Sequence, residues 1–499
     1  MTMSAAFAAP GRTLLGSTPQ VYSFPAMHPL ELSAEEMRSL ALAALDRIVR
    51  HIETLSEQPA TRHRGGVRLA RSLAEPLPED GTPVHKLLDL IFRKAVPGSI
   101  NTAGPGYLAY IPGGGLFHSA VADLIADGVN RFTGLSVTAP ALVQLEMNVL
   151  AWFRDIAGLP ETARGVLTSG GSLANLIALV TARRERLPEN FLAGTLYVSD
   201  QTHHSVVKSA LLAGFPPANV RPVPSDDRFR LRLDLLDEKI EEDRRRGLAP
   251  FLVVGNAGTT NSGAVDPLPE LADLARRHGL WFHVDGAYGG FFRLTARGRE
   301  SLAGVERADS VVLDPHKSLF LPYGTGALLV RDGAALKRAH SVAADYLPPI
   351  ADDPALADFC DLSPELTRPF RGLRVWLPVK MHGIRPFREA LDEKLDLARW
   401  AAGELRTIPG IEMLAEPELS LLAFRLAPPG VTDPEDLNRL NRRLLKRINE
   451  RKRVFLTGTL LHGRFAIRIC VLSFRTHHDR VAMAVEDIRA AMREVSGVV

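Results

Sequence analysis

The chain has 499 residues, 46% of them hydrophobic and 23% charged, with a formal net charge of +3. These values suit two or three globular domains around a large core, and the basic residues are too scattered to mark a nucleic-acid surface. The two cysteines, Cys360 and Cys470, form no Cys-x-x-Cys motif, which argues against a disulfide framework or a cysteine-rich metal site and fits a reducing cytoplasm.

The first ten residues, Met1 to Pro10, lack the basic start and apolar length of a signal peptide. No run of about eighteen apolar residues is present to span a bilayer, so no membrane association is expected. Residues 1–30 are expected to form a poorly structured arm. Ser33-Ala34-Glu35-Glu36 then reads as a capping box. Met37, Leu40, Ala41, Ala44, Leu45, Ile48, Val49 and Ile52 follow at helical spacing. This apolar stripe either packs on its own domain or clasps a second subunit.

From about residue 105 to 335, short apolar runs alternate with helical patterns. The runs cover residues 165–168, 195–198, 251–254, 280–284 and 310–313. Continuous apolarity predicts strands buried on both faces of a mostly parallel sheet. Helical stretches between them, such as 267–277, predict crossovers. After about residue 380 the pattern changes: a helix over 387–406, a strand over 420–426, a charged helix over 434–451, a strand over 464–470 and a helix over 480–495. The expected division is an N-terminal arm and helical segment over 1–104, a large domain over 105–380 and a smaller α+β domain over 381–499.

Active sites of parallel sheets lie beyond the C-terminal ends of the strands, and the chemically notable residues fall there. Gly165-Val166-Leu167-Thr168-Ser169-Gly170-Gly171-Ser172 reads as a strand, a glycine-rich turn and a helix start. Such a turn suits phosphate, through open N–H groups at Gly171 and the hydroxyl of Ser172, although it also serves as a plain tight turn. In Ser199-Asp200-Gln201-Thr202-His203-His204-Ser205, His203 can stack on a flat ring, against the blander reading of a surface histidine; His204 reads as structural. Thr259 and Thr260, in the loop over 256–267, can hydrogen-bond a ring substituent or merely satisfy backbone groups. Asp285, ending His283-Val284-Asp285, is a buried carboxylate that needs a cationic partner; Gly286 and Ala287 leave room for a ring. Asp314-Pro315-His316-Lys317 ends the next run. A lysine amine can condense with the aldehyde of pyridoxal 5'-phosphate, and an aspartate can pair with its protonated pyridine nitrogen, making the ring an electron sink. The alternative for Asp285 and Lys317 is a salt bridge between them.

Together these segments resemble the group II amino-acid decarboxylases that use pyridoxal phosphate, from about residue 30 to the C-terminus. The resemblance implies an aspartate-aminotransferase-like (fold type I) α/β fold and a homodimer with the active site at the subunit interface, which favours the dimer-clasp reading of the first helix. It implies that Lys317 forms the covalent bond to the cofactor and His316 lies beside it on the phosphate side. It also implies that Asp285 pairs with the pyridinium, Ala287 lies against the ring and His203 stacks on it. Gly171, Ser172 and Thr260 are similar to cofactor contacts, with Thr259 able to take the part of Thr260. The implied reaction converts an L-amino acid to its amine and carbon dioxide.

Two departures stand out. Counting back without gaps from Arg371-Gly372-Leu373-Arg374-Val375-Trp376, the dipeptide Asp358-Phe359 matches a mobile-loop tyrosine thought to deliver a proton. Phenylalanine there goes with oxidation to an aldehyde, with ammonia and peroxide, in related aldehyde synthases; Tyr346 can supply a hydroxyl instead. Tyr110-Ile111-Pro112-Gly113 resembles the substrate-pocket segment, but Ile111 and Gly113 replace bulkier or polar residues. Near Gly134 and Leu135 the expected aromatic side chains are missing. An aminotransferase, a carbon–carbon lyase and a cofactor-binding protein without turnover are the competing readings.

Overall fold

The computed structural model describes residues 28, 30–61, 65–342 and 355–496. Tyr346 and nearly all of the arm expected over 1–30 lie outside the described residues. Seven strands form the main sheet: β1 (Arg164–Thr168), β2 (Gly194–Ser199), β3 (Val220–Val223), β4 (Ala249–Asn256), β5 (Trp281–Gly286), β6 (Ser310–Leu313) and β7 (Gly326–Val330), in the order β1-β7-β6-β5-β4-β2-β3. Only β7 runs against its neighbours, so the sheet is mostly parallel and the five predicted strands share one direction. β3 and β7 were not expected. β3 is an edge strand carrying Pro222, which weakens a strand pattern. β7 follows β6 without a full helical crossover, and so breaks the alternation that exposed the others.

A second, smaller sheet contains β8 (Ile411–Ala415), β9 (Leu421–Leu426), β10 (Thr457–Leu461) and β11 (Arg464–Cys470), all antiparallel, in the order β10-β11-β9-β8. Helices Pro434–Glu450 and His478–Ser496 belong to the same part of the chain. The predicted strands at 420–426 and 464–470 appear as β9 and β11; β8 and β10 are short and only half buried, which hides the apolar pattern.

Each sheet has its own apolar core. Val254, Val284, Val311 and Leu328 lie in the large one, and Phe424, Leu444, Ile467 and Ile488 in the small one. Each such side chain contributes about 1.5–3 kcal/mol on full burial. Helix Arg385–Arg406 serves both: Phe387, Leu391 and Leu395 enter the large core, while Leu397, Ala398, Ala401 and Leu405 enter the small one.

The first helix, Ala34–Glu53, has the expected capping box: Ser33 Oγ accepts the Glu36 N–H at 3.2 Å, and Glu36 accepts the Ser33 N–H at 2.8 Å. None of its residues is buried, and Met37 is 53% exposed. The other described residues leave Met37, Leu40, Leu45 and Val49 of its apolar stripe exposed. No helix among the described residues is long and apolar enough to cross a membrane, and none of the described side chains cluster as a candidate metal site.

Candidate active site

The parallel strands end on one side of the sheet, and the segments that follow them enclose a cavity of about 250 Å³. Gly171, Ser172, His203, Thr260, Asp285, Ala287, His316 and Lys317 all line it. A larger cavity, about 460 Å³, lies by Arg47, Arg50, His51 and Asn101; none of the expected site residues lines it.

At one end, β1 turns through Gly170 into helix Gly171–Arg186, whose start carries no side-chain cap. Its first N–H groups are open to an anion. A Cβ at position 171 would sit 3.0 Å from Asp314 Oδ2 and 3.3 Å from the Ala287 Cβ, so glycine keeps this cradle clear. His316 borders it, donating from Nδ1 to the Thr325 carbonyl at 2.6 Å. Burial lowers the pKa of His316 despite Asp314.

At the other end, Asp285 follows the β5 register and is 8% exposed. Its Oδ1 accepts the Ala287 N–H at 3.1 Å and its Oδ2 accepts from Asn175 Nδ2 at 3.1 Å. No cation forms an ion pair with it among the described residues. A protonated pyridine nitrogen fits this carboxylate, and the open helix start opposite fits a phosphate.

Between them, Lys317 Nζ lies 2.8 Å from Asp314 Oδ2. Burial pulls the lysine pKa down, but the charge and hydrogen bond of Asp314, with Asp285 behind, outweigh it and raise it. The amine is thus stored as an ammonium paired to Asp314, rather than to Asp285 as the simple salt-bridge alternative had it. His203 is half-buried, with burial lowering its pKa; His204 is exposed beside it. Thr259 spends its hydroxyl on Ser262 at 2.7 Å, whereas the Thr260 hydroxyl has no hydrogen-bond partner among the described residues and Thr260 lines the cavity, which favours Thr260 of the two threonines.

Phe359, Ile111, Pro112 and Leu135 do not line this cavity. Phe359 is 0% exposed, packed in the main core with the Arg368 guanidinium 4.7 Å from its ring centroid. It is held in a short turn whose Asp358 caps the Ser136 N–H at 2.6 Å. In its own chain this ring packs in the core and does not line the cavity. Ile111 and Pro112 are buried and Leu135 is half-buried, and none of them lines the cavity. Ile111 packs into the main core, and the segment passes close to the cavity at Gly113, where a Cβ would sit 3.0 Å from the His316 carbonyl oxygen. Tyr110 is exposed, and its carbonyl accepts from Arg468 Nη2 at 3.2 Å; Arg468 also bonds the Thr260 carbonyl, tying Tyr110 to the cavity rim.

Sequence reasoning missed Asn175, Ser205, Asn256 and Tyr288, which also line the cavity. Asn175 lies one helical turn inside the glycine-rich motif, and that spacing was the available signal. Asp314, quoted as part of its motif, gains a role as the partner of Lys317.

Behind Asp285 the sheet buries His283, whose pKa burial pushes down to about 4 against the pull of Asp285. An unfolded histidine takes up a proton near 6.5 while this one does not. Stability is therefore lost as pH falls from about 6.5 towards about 4, by up to about 1.4 kcal/mol per pH unit. Urea unfolding at stepped pH is expected to show this slope, and His283→Gln is expected to reduce it.

Residues 68–427 match the model for the pyridoxal-dependent decarboxylase conserved domain. The chain is 35% identical over 468 residues to an aromatic-L-amino-acid decarboxylase of Bacillus atrophaeus, covering 94% of this chain and 98% of that one. Its fold matches Oryza sativa TDC with PLP and tryptamine at a TM-score of 0.89 and 29% identity, covering 94% of this chain and 99% of the other. It matches Rhodiola rosea 4-hydroxyphenylacetaldehyde synthase at a TM-score of 0.85 and 26% identity, covering 93% and 99%.

Proposed function

Since the chain belongs to the family of pyridoxal-dependent decarboxylases and is a pyridoxal-phosphate-dependent amino-acid decarboxylase, we propose that it converts an aromatic L-amino acid to the corresponding amine. The observation that carries this reading is the single cavity in which Lys317, Asp285 and His203 converge beside an open helix start. The aromatic side chain is carried over from the relatives' names. When bound, the cofactor supplies the electron sink that lets the Cα–carboxylate bond break. The chain's residues do the rest. Asp285 offers the carboxylate that keeps a ring nitrogen protonated. The start of helix Gly171–Arg186, with Ser172, holds phosphate. His203 would stack on the ring, and Thr260 would offer it a hydroxyl; both line the cavity. Among the described residues Lys317 is the one lysine lining this cavity.

We further propose that a second copy of the chain covers the stripe of helix Ala34–Glu53, with residues 1–104 as the dimer segment, 105–380 as the cofactor domain and 381–499 as the small domain. The stripe exposes Met37, Leu40, Leu45 and Val49, a larger apolar face than a lone helix normally leaves in water.

The relatives also include an aldehyde synthase, so amine and aldehyde outcomes must be separated by product. The test is a panel of L-amino acids with cofactor-loaded protein, measuring carbon dioxide and hydrogen peroxide together. Carbon dioxide with amine and no peroxide is expected, with tryptophan, tyrosine or phenylalanine turning over fastest. Peroxide matching the carbon dioxide would replace the amine product by the aldehyde. Faster turnover of glutamate or another non-aromatic amino acid would overturn the substrate class.

A further inference from the structure

A chain of buried polar groups runs behind the cavity. Trp281 Nε1 lies 2.8 Å from Ser310 Oγ, which lies 2.7 Å from His283 Nδ1. His283 Nε2 lies 2.9 Å from Asn175 Oδ1. Asn175 Nδ2 reaches both Asp285 Oδ2, at 3.1 Å, and Ser205 Oγ, at 3.0 Å. Ser205 Oγ lies 2.7 Å from His203 Nδ1, and the Ser205 backbone N–H points at the same nitrogen at 3.3 Å.

The direction of every bond in this chain is set by groups that have no choice. A carboxylate only accepts, so the nitrogen of Asn175 must face Asp285 and its oxygen must face His283. His283 therefore donates from Nε2 and accepts at Nδ1, from Ser310; the indole of Trp281, which only donates, agrees with that sense. On the other branch, Ser205 accepts from Asn175 and passes its own proton to His203. The backbone N–H of Ser205 also only donates, so Nδ1 of His203 is an acceptor from both. Neutral His203 then carries its proton on Nε2, the nitrogen left for the cavity.

We propose that Asn175 is a positioning residue that couples the ring-nitrogen partner Asp285 to the ring-stacking His203, holding the first as an oriented acceptor and the second as its Nε2–H tautomer. The cavity thereby receives an acceptor at Asp285 and a donor at His203, suited to the carboxylate of an amino acid, with both set by one amide. This deepens the decarboxylase reading and rests on it only for what the two groups face.

Two measurements test it, neither of which requires turnover. Nitrogen-15 NMR of the histidine rings of the full chain without cofactor is expected to show His203 protonated at Nε2 and hydrogen-bonded at Nδ1. A proton on Nδ1, or an even mixture of tautomers, would overturn the assignment whether or not any variant folds. Titration with pyridoxal phosphate, followed by absorbance, is expected to show about tenfold weaker binding for Asn175→Ala, the loss of one hydrogen bond to a charged group. The visible band of the lysine-bound cofactor is expected to change with it, because Asp285 is no longer held. Ser205→Ala keeps the bond to Asp285 but removes one donor at His203 Nδ1, so it is expected to weaken binding less than Asn175→Ala and to shift the His203 nitrogen-15 signals. Unchanged affinity and spectrum in a folded Asn175→Ala protein would leave the amide a structural role only and sink the proposal. Failure to release carbon dioxide from any amino acid, with both readouts as expected, would instead count against the decarboxylase reading alone.

Discussion

Lys317→Ala is expected to lower carbon dioxide release on the order of 10⁴-fold or more, with the fold retained, because a covalent group and its charge are lost together. Lys317 is the one lysine lining the cavity among the described residues, and it is held 2.8 Å from Asp314. Alanine removes the amine that can condense with an aldehyde. It also leaves Asp314, 1% exposed, without its cation. Lys317→Arg separates these two losses. Arginine restores a positive charge beside Asp314 but cannot form the bond to the cofactor, so it is expected to recover thermal stability and not turnover. The check is carbon dioxide release at saturating cofactor, alongside a melting curve for each variant. More than about 1% residual turnover in Lys317→Ala would remove this lysine from the chemistry.

Glu146→Ala is expected to cost about 3–5 kcal/mol of stability, the largest effect foreseen away from the cavity. The Glu146 and Arg368 side chains form an ion pair at 0% exposure each. Glu146 also accepts the Gly372 N–H at 3.1 Å, and Arg368 also donates to the Leu167 carbonyl at 3.1 Å. Removing the carboxylate strands a guanidinium that already has two nitrogens, Nε and Nη1, without hydrogen-bond partners. Replacing both residues together, Glu146→Leu with Arg368→Met, is expected to recover most of the loss, since the desolvation of two charges is then avoided. Urea denaturation of the single and double variants decides it. A single-variant loss under about 1 kcal/mol would show that the pair is not the anchor it looks to be. The effect bears on the site as well. Arg371 donates to the same Leu167 carbonyl at 3.2 Å while paired with Glu365, so two arginines pin the strand just before the Gly170–Gly171 turn.

The residues that line the cavity were legible where short strand-end motifs carry them. Asp285 ends an apolar strand, Lys317 follows the next, and the Gly170-Gly171-Ser172 turn follows a third; in each case strand direction alone delivers the side chain to one place. What could not be read were partners far apart in sequence. Asn175 and Asp285 are 110 positions apart, and Asn175 and Ser205 are 30. Nothing in either local pattern announces a bond that exists only once β5 and helix Gly171–Arg186 are packed. Phe359 could be matched by counting along the sequence but not placed by it: within its own chain the apolar ring packs in the core beside a buried arginine. β7 was hidden because it follows β6 without a full helical crossover, so the strand–helix alternation that exposed its neighbours is broken there.

The sharing of helix Arg385–Arg406 between two cores has a consequence for how the chain is made. Synthesis proceeds from the N-terminus at about 5–20 residues per second, and domains that are contiguous in sequence fold as they emerge. The large sheet is complete by residue 330, yet its core still lacks Phe387, Leu391 and Leu395, and also Leu421, Cys470 and Leu472. A ribosome-bound chain of about 380 residues therefore displays an open apolar face where those side chains belong. The large domain closes only after nearly the whole protein has been translated, and until then this face is the surface most in need of a chaperone.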